Sequence, residues 1–447
     1  MVNTFADSKL SLTMNQFSNI FIKSGIICSM FIFPATANSL WASEGEEDDP
    51  EKNLLLDLPS LKQSRSLLSF TFKKPDVDSA FKPKIKIGAL LHMHASLQQD
   101  GYSNSHAASF KSWTKGFVIH RARILVGGEL SSKGSFFIET EIPTSIGTLN
   151  SQGKKNVTVS QILLDAQYQH VFSSAFQLIA GKQLVSNNRN GLQGAGALLT
   201  SDFSPSQYRY NMNEDSPLQG SFGRDLGLNA RGFLFNDRFE YRLGAFTGRS
   251  KDGKDPLRYV GRFSYNFFQR DEDYYYTGTS LSTRKLFSWA WGFDTQSNYQ
   301  NYSTDVFLDY PFAAHGALTL NAAFQYMDGG TSSSTYSFAS LIPRQRVEFI
   351  ELGYYFKKVR LQPWLKFENI DVSARSQQTR GLSLSEFNKE QSSSIYGAGL
   401  NYYFNDLRTN LRLSYLIKDS QIQQEGTKDF KKHSFSQAML QLQFSIF

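Results

Sequence analysis

Arg121 and Arg123 lie two residues apart in Phe117-Val-Ile-His-Arg-Ala-Arg-Ile-Leu-Val-Gly-Gly128. On a β-strand they share one face, and Val118, Ala122, Ile124 and Val126 take the opposite one. A cation turned towards mid-bilayer hydrocarbon would cost about 2–4 kcal/mol, so the arginines belong on a wet face. The same alternation selects Lys84, Lys86, Arg231, Arg242, Arg258 and Arg262, joined by Arg189 and Arg209 from the long connection 187–223. Fixed cations along a narrow aqueous passage raise the local anion concentration and lower the barrier to entry. The chemistry expected of this set is guidance of small anions along a pore. The alternative is that each pairs with a carboxylate such as Glu139, Glu141, Asp165, Asp225 or Glu240 and braces the wall.

The elements that would hold these residues are strands. Sixteen stretches alternate apolar and polar residues, and the connections between them alternate long and short. In the first, Ile85, Ile87, Ala89, Leu91, Met93, Ala95 and Leu97 occupy one face, and Lys84, Lys86, Gly88, His92, His94 and Ser96 the other, with Leu90 the exception. The second covers about 116–130, and in the third Glu139 and Glu141 oppose Phe136, Ile138 and Ile142. The rest fall near 158–171, 175–186, 224–236, 238–248, 257–266, 287–297, 303–309, 316–327, 345–357, 360–370, 393–404, 408–418 and 434–447. Tight turns are expected at Ser131–Lys133, Ser173-Ser174, Asn236-Asp237, Lys357-Lys358 and Asn405-Asp406. Long loops are expected at about 98–115, 143–157, 187–223, 328–344, 371–392 and 419–433. The pattern predicts an all-β chain: a transmembrane antiparallel up-and-down β-barrel of 16 strands, with an N-terminal periplasmic extension. Loop 187–223 is the candidate constriction, with an external flap as its alternative. Connection 267–286 is too long for a turn on the short side, so the count there could differ by two.

Bulk composition agrees. Aromatic residues make up 14% of the chain, with 38 Phe and 21 Tyr, while mean hydropathy is −0.37. A helical membrane protein would show runs of about 20 apolar residues. The one apolar run, Ile26–Phe33, follows Lys23 and precedes Pro34-Ala-Thr-Ala37, which describes a secretory signal peptide over 1–37. Met14 offers a more ordinary start than Met1, making 1–13 an upstream mis-start. Residues 38–83 read as the periplasmic extension and 84–447 as the barrel. Cys28, the single cysteine, would leave with the signal. The formal charge is +7, but Lys and Arg are spread among strands rather than clustered, which argues against nucleic acid.

Several segments resemble the phosphate-selective porin O and P family. His120-Arg121-Ala122-Arg123, ending in Gly127-Gly128, is similar to that family's Arg-Arg-Ala strand. Gly181-Lys182 lies in a stretch like its Leu-x-x-Gly-basic-Phe segment, and Arg224-Asp225-Leu226-Gly227 matches its Arg-Asp-Leu-Gly segment. The resemblance implies a homotrimer of 16-stranded barrels in the bacterial outer membrane, inserted by the barrel-assembly machinery and surrounded by lipid. It also implies a file of arginines and lysines passing small anions, phosphate among them. His120 stands where the family has an arginine, so one of two permanent charges is missing.

Other constellations carry less. His92 and His94 share a strand face, but two histidines without a third ligand argue for lumen lining rather than a metal site. The seven histidines sit in no recognisable nucleophile motif, so no enzyme, metal or cofactor is expected. Tyr274–Tyr276, Trp289/Trp291 and Tyr402-Tyr403 read as interface girdles. Phe447 falls out of phase with Leu440, Leu442, Phe444 and Ile446. The reading is therefore a passive anion porin, with a general or carboxylate/sugar-preferring channel and a structural or adhesive barrel as alternatives.

Overall fold

The computed structural model describes residues 81–103, 111–142, 144–149, 155–159, 162–185, 187–203, 223–248, 256–313, 315–328, 344–372, 390–423 and 429–446. Its strands in chain order are β1 (Lys84–Gln99), β2 (Trp113–Glu129), β3 (Gly134–Glu141), β4 (Thr144–Leu149), β5 (Lys155–Val159), β6 (Ile162–Val171), β7 (Gln177–Leu184), β8 (Arg224–Leu234), β9 (Phe239–Phe246), β10 (Arg258–Asn266), β11 (Leu286–Gln296), β12 (Tyr299–Phe312), β13 (Gly316–Asp328), β14 (Gln345–Phe356), β15 (Leu361–Val372), β16 (Glu390–Asn405), β17 (Thr409–Gln423) and β18 (Phe430–Ile446). β4 and β5 form a hairpin of their own; the other sixteen close into one antiparallel barrel, with β1 bonded to both β2 and β18. Closure pairs every strand's backbone on both sides, the condition for crossing hydrocarbon with strands.

Hydropathy of period two sets the faces. On β1 the side chains at 85, 87, 89 and 97 are exposed, whereas Leu90, His92 and His94 are buried in the lumen. β2 departs from its expected phase. His120 is an extra residue opposite the His92/Met93 step, so Phe117 and Ile119 turn outward and Val118 turns inward, not outward as the plain alternation predicts. A bulge shifts the phase by one residue, which the hydropathy alone does not show.

All five expected tight turns fall between paired strands on one rim. The turn after β8 uses positive φ at Asn236 (56°) and Asp237 (63°), residue types that tolerate it. The opposite rim carries the long connections. The one expected at 419–433 is shorter, because β17 runs on to Gln423 and β18 starts at Phe430. Their outer ends are mostly polar, with Ile422 and Phe430 the exceptions, so the backbone ladder extends them with little hydropathy signal. Residues 158 and 159, expected to open a strand running to 171, instead close β5, and β6 begins at Ile162. Phe447 lies outside the described residues, as do 1–80 with the expected signal segment.

A belt of rings circles part of the short-turn rim on the outer face. Tyr265 touches Phe267 (5.0 Å), Phe267 stacks on Phe287 (4.5 Å), Phe268 meets Tyr310 (5.9 Å), and Phe312, Tyr354 and Phe356 continue it. Such a girdle marks a bilayer interface. Trp289, Trp291 and Tyr402 face outward as expected of girdle residues. Tyr403 and Tyr274–Tyr276 do not: all four are buried inside.

Candidate functional site in the barrel lumen

Two connections fold into the lumen from opposite rims and meet there. The described part of loop 187–223, residues 187–203, leaves β7 at the long-loop rim, and every residue from Asn187 to Ser201 except Gly191 is buried. It is bolted around the wall. Asn187 donates to Asn301 of β12 (3.1 Å), and Asn321 of β13 to Asn190 (2.6 Å). Thr200 donates to Glu351 of β14 (2.9 Å), and Asn401 of β16 to the Leu199 carbonyl (2.7 Å). Arg412 of β17 donates to the Thr200 carbonyl (2.9 Å), and Gln443 of β18 to that of Gly196 (2.9 Å). The constriction reading of this loop agrees with its position.

Connection 267–285 enters from the short-turn rim. It adds no strand among the described residues, which resolves its excess length. The two loops pair through their backbones: Tyr276 N–H donates to Leu192 (2.9 Å), Gly194 to Tyr276 (3.1 Å) and Gly278 to Ala197 (2.7 Å). Apolar packing seals them to one wall. Leu90, Leu125, Phe137, Ile179 and Leu184 point inward from β1, β2, β3 and β7 against Leu192, Ala195 and Tyr274–Tyr276. Each such buried side chain contributes about 1.5–3 kcal/mol. Leu90, anomalous as a lumen residue in a wet pore, is therefore a contact of the inserted loops. The three tyrosines are core of the plug, not girdle.

The arginines brace this assembly. Arg123 binds Glu139 (2.9 Å) and Glu141 (2.6 Å), and Arg224 binds Asp165 (3.0 Å) and Glu139 (3.3 Å). Arg231 and Arg242 share Glu240 at 2.7 and 2.8 Å, while their other nitrogens hold the carbonyls of Glu272, Asp273 and Tyr274. Arg258 binds Asp294 (2.6 Å) and Asp225 (3.3 Å), and Arg262 binds Asp305 (2.5 Å). Arg189 joins the loops. It pairs with Asp271 (2.8 Å), donates to the Thr277 carbonyl (2.9 Å) and lies 3.6 Å from the Phe307 ring centre. Arg121 holds Asp202 at 2.7 Å, near the end of the loop's described part; His120 reaches the same carboxylate at 3.0 Å and stacks on His94 at 4.2 Å.

Burial alone would raise the Asp202 carboxyl, but Arg121 and His120 outweigh it and hold the group well below the usual carboxylate range. Asp271 behaves likewise: burial raises it, and Arg284 and Arg189 pull it lower still.

Seven of the expected pore-lining cations, Arg121, Arg123, Arg189, Arg231, Arg242, Arg258 and Arg262, thus come inside, each against a carboxylate. Lys84 and Lys86 are exposed at the start of β1, with Lys84 4.0 Å from Glu129, rather than inside the plugged section. Arg209 lies outside the described residues. Among the motif positions, Gly181 has φ +121° and Lys182 points outward, donating to the Leu163 carbonyl (2.5 Å). Asp225 also accepts from Gly248 N–H (3.1 Å). His92 and His94 donate from Nε2 to the amide oxygens of Gln443 (2.9 Å) and Gln441 (2.7 Å), and no cluster of three metal-ligating side chains occurs among the described residues.

Sequence reasoning missed Arg412, Lys366 and the acid Asp271. Arg412 was accessible to it: Leu411, Leu413 and Tyr415 face out, so Asn410, Arg412 and Ser414 face in. Counting all buried side chains among the described residues, ten cations (nine Arg and Lys366) face twelve carboxylates. Nine of those cations have a carboxylate within 4.0 Å; Arg412 donates to the neutral Asn410, Thr200 and Gln443.

No protein-family model and no curated protein matches the chain. Solved outer-membrane channels do. The channel DcaP of Acinetobacter baumannii shares 11% identity at a TM-score of 0.50, over 81% of this chain and 97% of that one. An anion-selective porin from Comamonas acidovorans shares 11% at 0.48, over 82% and 100%. OprB of Pseudomonas putida shares 8% at 0.49, over 81% and 94%. At 11% identity the likeness to DcaP concerns the fold alone, a closed antiparallel β-barrel.

Proposed function

We propose that the chain is a passive diffusion channel of a bacterial outer membrane that carries small polar solutes with no marked preference for anions. The observation that carries this is the pairing of the interior: ten buried cations against twelve buried carboxylates, nine of the ten in ion pairs. A cation already neutralised by a carboxylate at hydrogen-bond distance offers little field to a passing anion. The half of the wall formed by β12 to β18 supports the same reading. Its inward side chains include Asn301, Asn321, Gln325, Gln362, Asn401 and Gln443, amides that meet neutral hydroxyls as readily as ions. The inserted loops restrict passage to small solutes.

Export through the expected signal segment, insertion by the barrel-assembly machinery and a homotrimeric state in outer-membrane lipid complete the proposal. They follow from the resemblance and the fold. Anion passage, phosphate included, is the second reading. Arg412 favours it, a buried guanidinium whose partners are neutral, standing across His92 from Arg121.

The experiment is swelling of liposomes holding the purified chain, in neutral sugars of increasing size. Swelling with the smallest sugars and a steep fall with mass support the proposal. Swelling no faster than in empty liposomes contradicts it.

A further inference from the structure

The interior pairs nine of its ten buried cations with carboxylates, whereas the short-turn rim leaves several of its own without one. Among the described residues, Lys133, Lys285, Lys357, Lys358, Arg360 and Arg408 have no carboxylate within ion-pair distance. They stand in the turns after β2, β10, β14 and β16, and so are distributed round the rim. The Lys285 ammonium lies 4.4 Å from the Phe268 ring centre and 4.6 Å from that of Tyr310. Those rings belong to the outer aromatic belt, so this cation is held at the level where a bilayer's hydrocarbon gives way to headgroups. Among the described residues only a few acids share the rim: Asp237 and Glu272 are taken by Arg270, Glu129 stands near Lys84, and Asp406 lies in a turn.

We propose that the short-turn rim binds anionic phospholipid headgroups, with Lys285 on its Phe268–Tyr310 platform as the anchoring contact and Lys357 and Lys358 as further phosphate ligands. The inference rests on reading the barrel as membrane-spanning. An ammonium is a point charge suited to a phosphodiester, and aromatic rings beneath it restrict its motion without neutralising it. Each cation near an anionic surface strengthens attachment about fivefold.

The full-length protein is inserted into phosphatidylcholine bilayers with and without one-tenth phosphatidylglycerol, extracted gently, and its retained lipids are counted by native mass spectrometry. The expected result is severalfold enrichment of phosphatidylglycerol over its share of the mixture. The triple variant Lys285→Gln, Lys357→Gln, Lys358→Gln should return retention to the mixture's ratio, while Lys115→Gln at the far rim should leave it enriched. Enrichment should resist free inorganic phosphate as well as it resists chloride of equal ionic strength. Unenriched wild-type protein that has inserted normally would overturn this proposal alone, as would equal loss in the Lys115 variant. Failure to insert into any of these bilayers would instead overturn the membrane reading beneath it.

Discussion

Glu240→Gln keeps the shape of a side chain on which three groups converge and removes its charge. Arg231, Arg242 and the Tyr276 hydroxyl all donate to Glu240, at 2.7, 2.8 and 2.7 Å, and the carboxylate is buried. The variant leaves two buried guanidinium groups without a counter-ion. Removing one member of a buried ion pair costs about 3–5 kcal/mol. Here the lower end applies, because both arginines also donate to carbonyls of the inserted segment 272–274. A loss of about 3 kcal/mol is expected, roughly a hundredfold in the unfolding equilibrium. Urea unfolding of the vesicle-inserted protein, followed by tryptophan fluorescence, measures it. The same variant adds one positive charge to the interior, so its reversal potential in a salt gradient should move towards that of chloride. Stability within about 0.5 kcal/mol of wild type, the usual range for surface changes, would refute the bracing role.

Arg189→Ala removes the side chain that ties the two inserted loops to each other and to Phe307. Single-channel conductance should rise, with noisier open current; unchanged conductance would mean that the loops do not define the passage. Gly181→Ala should block assembly, since φ +121° disfavours any side chain and a Cβ there runs into the Ala166 carbonyl; loss of the heat-modifiable folded band on a gel checks it. The carboxyls of Asp202 and Asp271 are depressed in the folded state, so the stability they add is complete above their ordinary value of 3.8 and lost only as pH falls through the lower folded values. The thermal stability that Asp202→Asn or Asp271→Asn removes should therefore be the same at pH 7 and pH 5 and shrink progressively as the pH falls below 3.8.

Barrel strands were legible because the bilayer on one side and a polar interior on the other impose alternation on each of them. Outward Ile85, Ile87, Trp289 and Trp291 follow that rule. Where a second influence acts, alternation misleads. The bulge at His120 inverted Val118, and the backbone ladder carried β17 and β18 beyond the apolar band. Tyr274–Tyr276 share their composition with girdle residues, and only the tertiary fold distinguishes a ring facing lipid from one packed in a plug. The charges show the same limit. Period two brought Arg121, Arg123, Arg231, Arg242, Arg258 and Arg262 to the interior and named Glu139, Glu141, Asp165, Asp225 and Glu240 as partners. It could not pair them, because Arg224 reaches across from β8 to Glu139 of β3, a contact set by barrel closure. Asp271, the partner of Arg189, sits in a segment without periodicity.

The proposed function rests on neutralisation of the interior cations by carboxylates. The reversal potential of the purified wild-type channel in a planar bilayer under a potassium chloride gradient tests it most directly. The expected value is near zero or weakly towards potassium, unmoved by added phosphate. A value close to that of chloride, with current blocked by phosphate, would contradict it and show an unpaired cationic path.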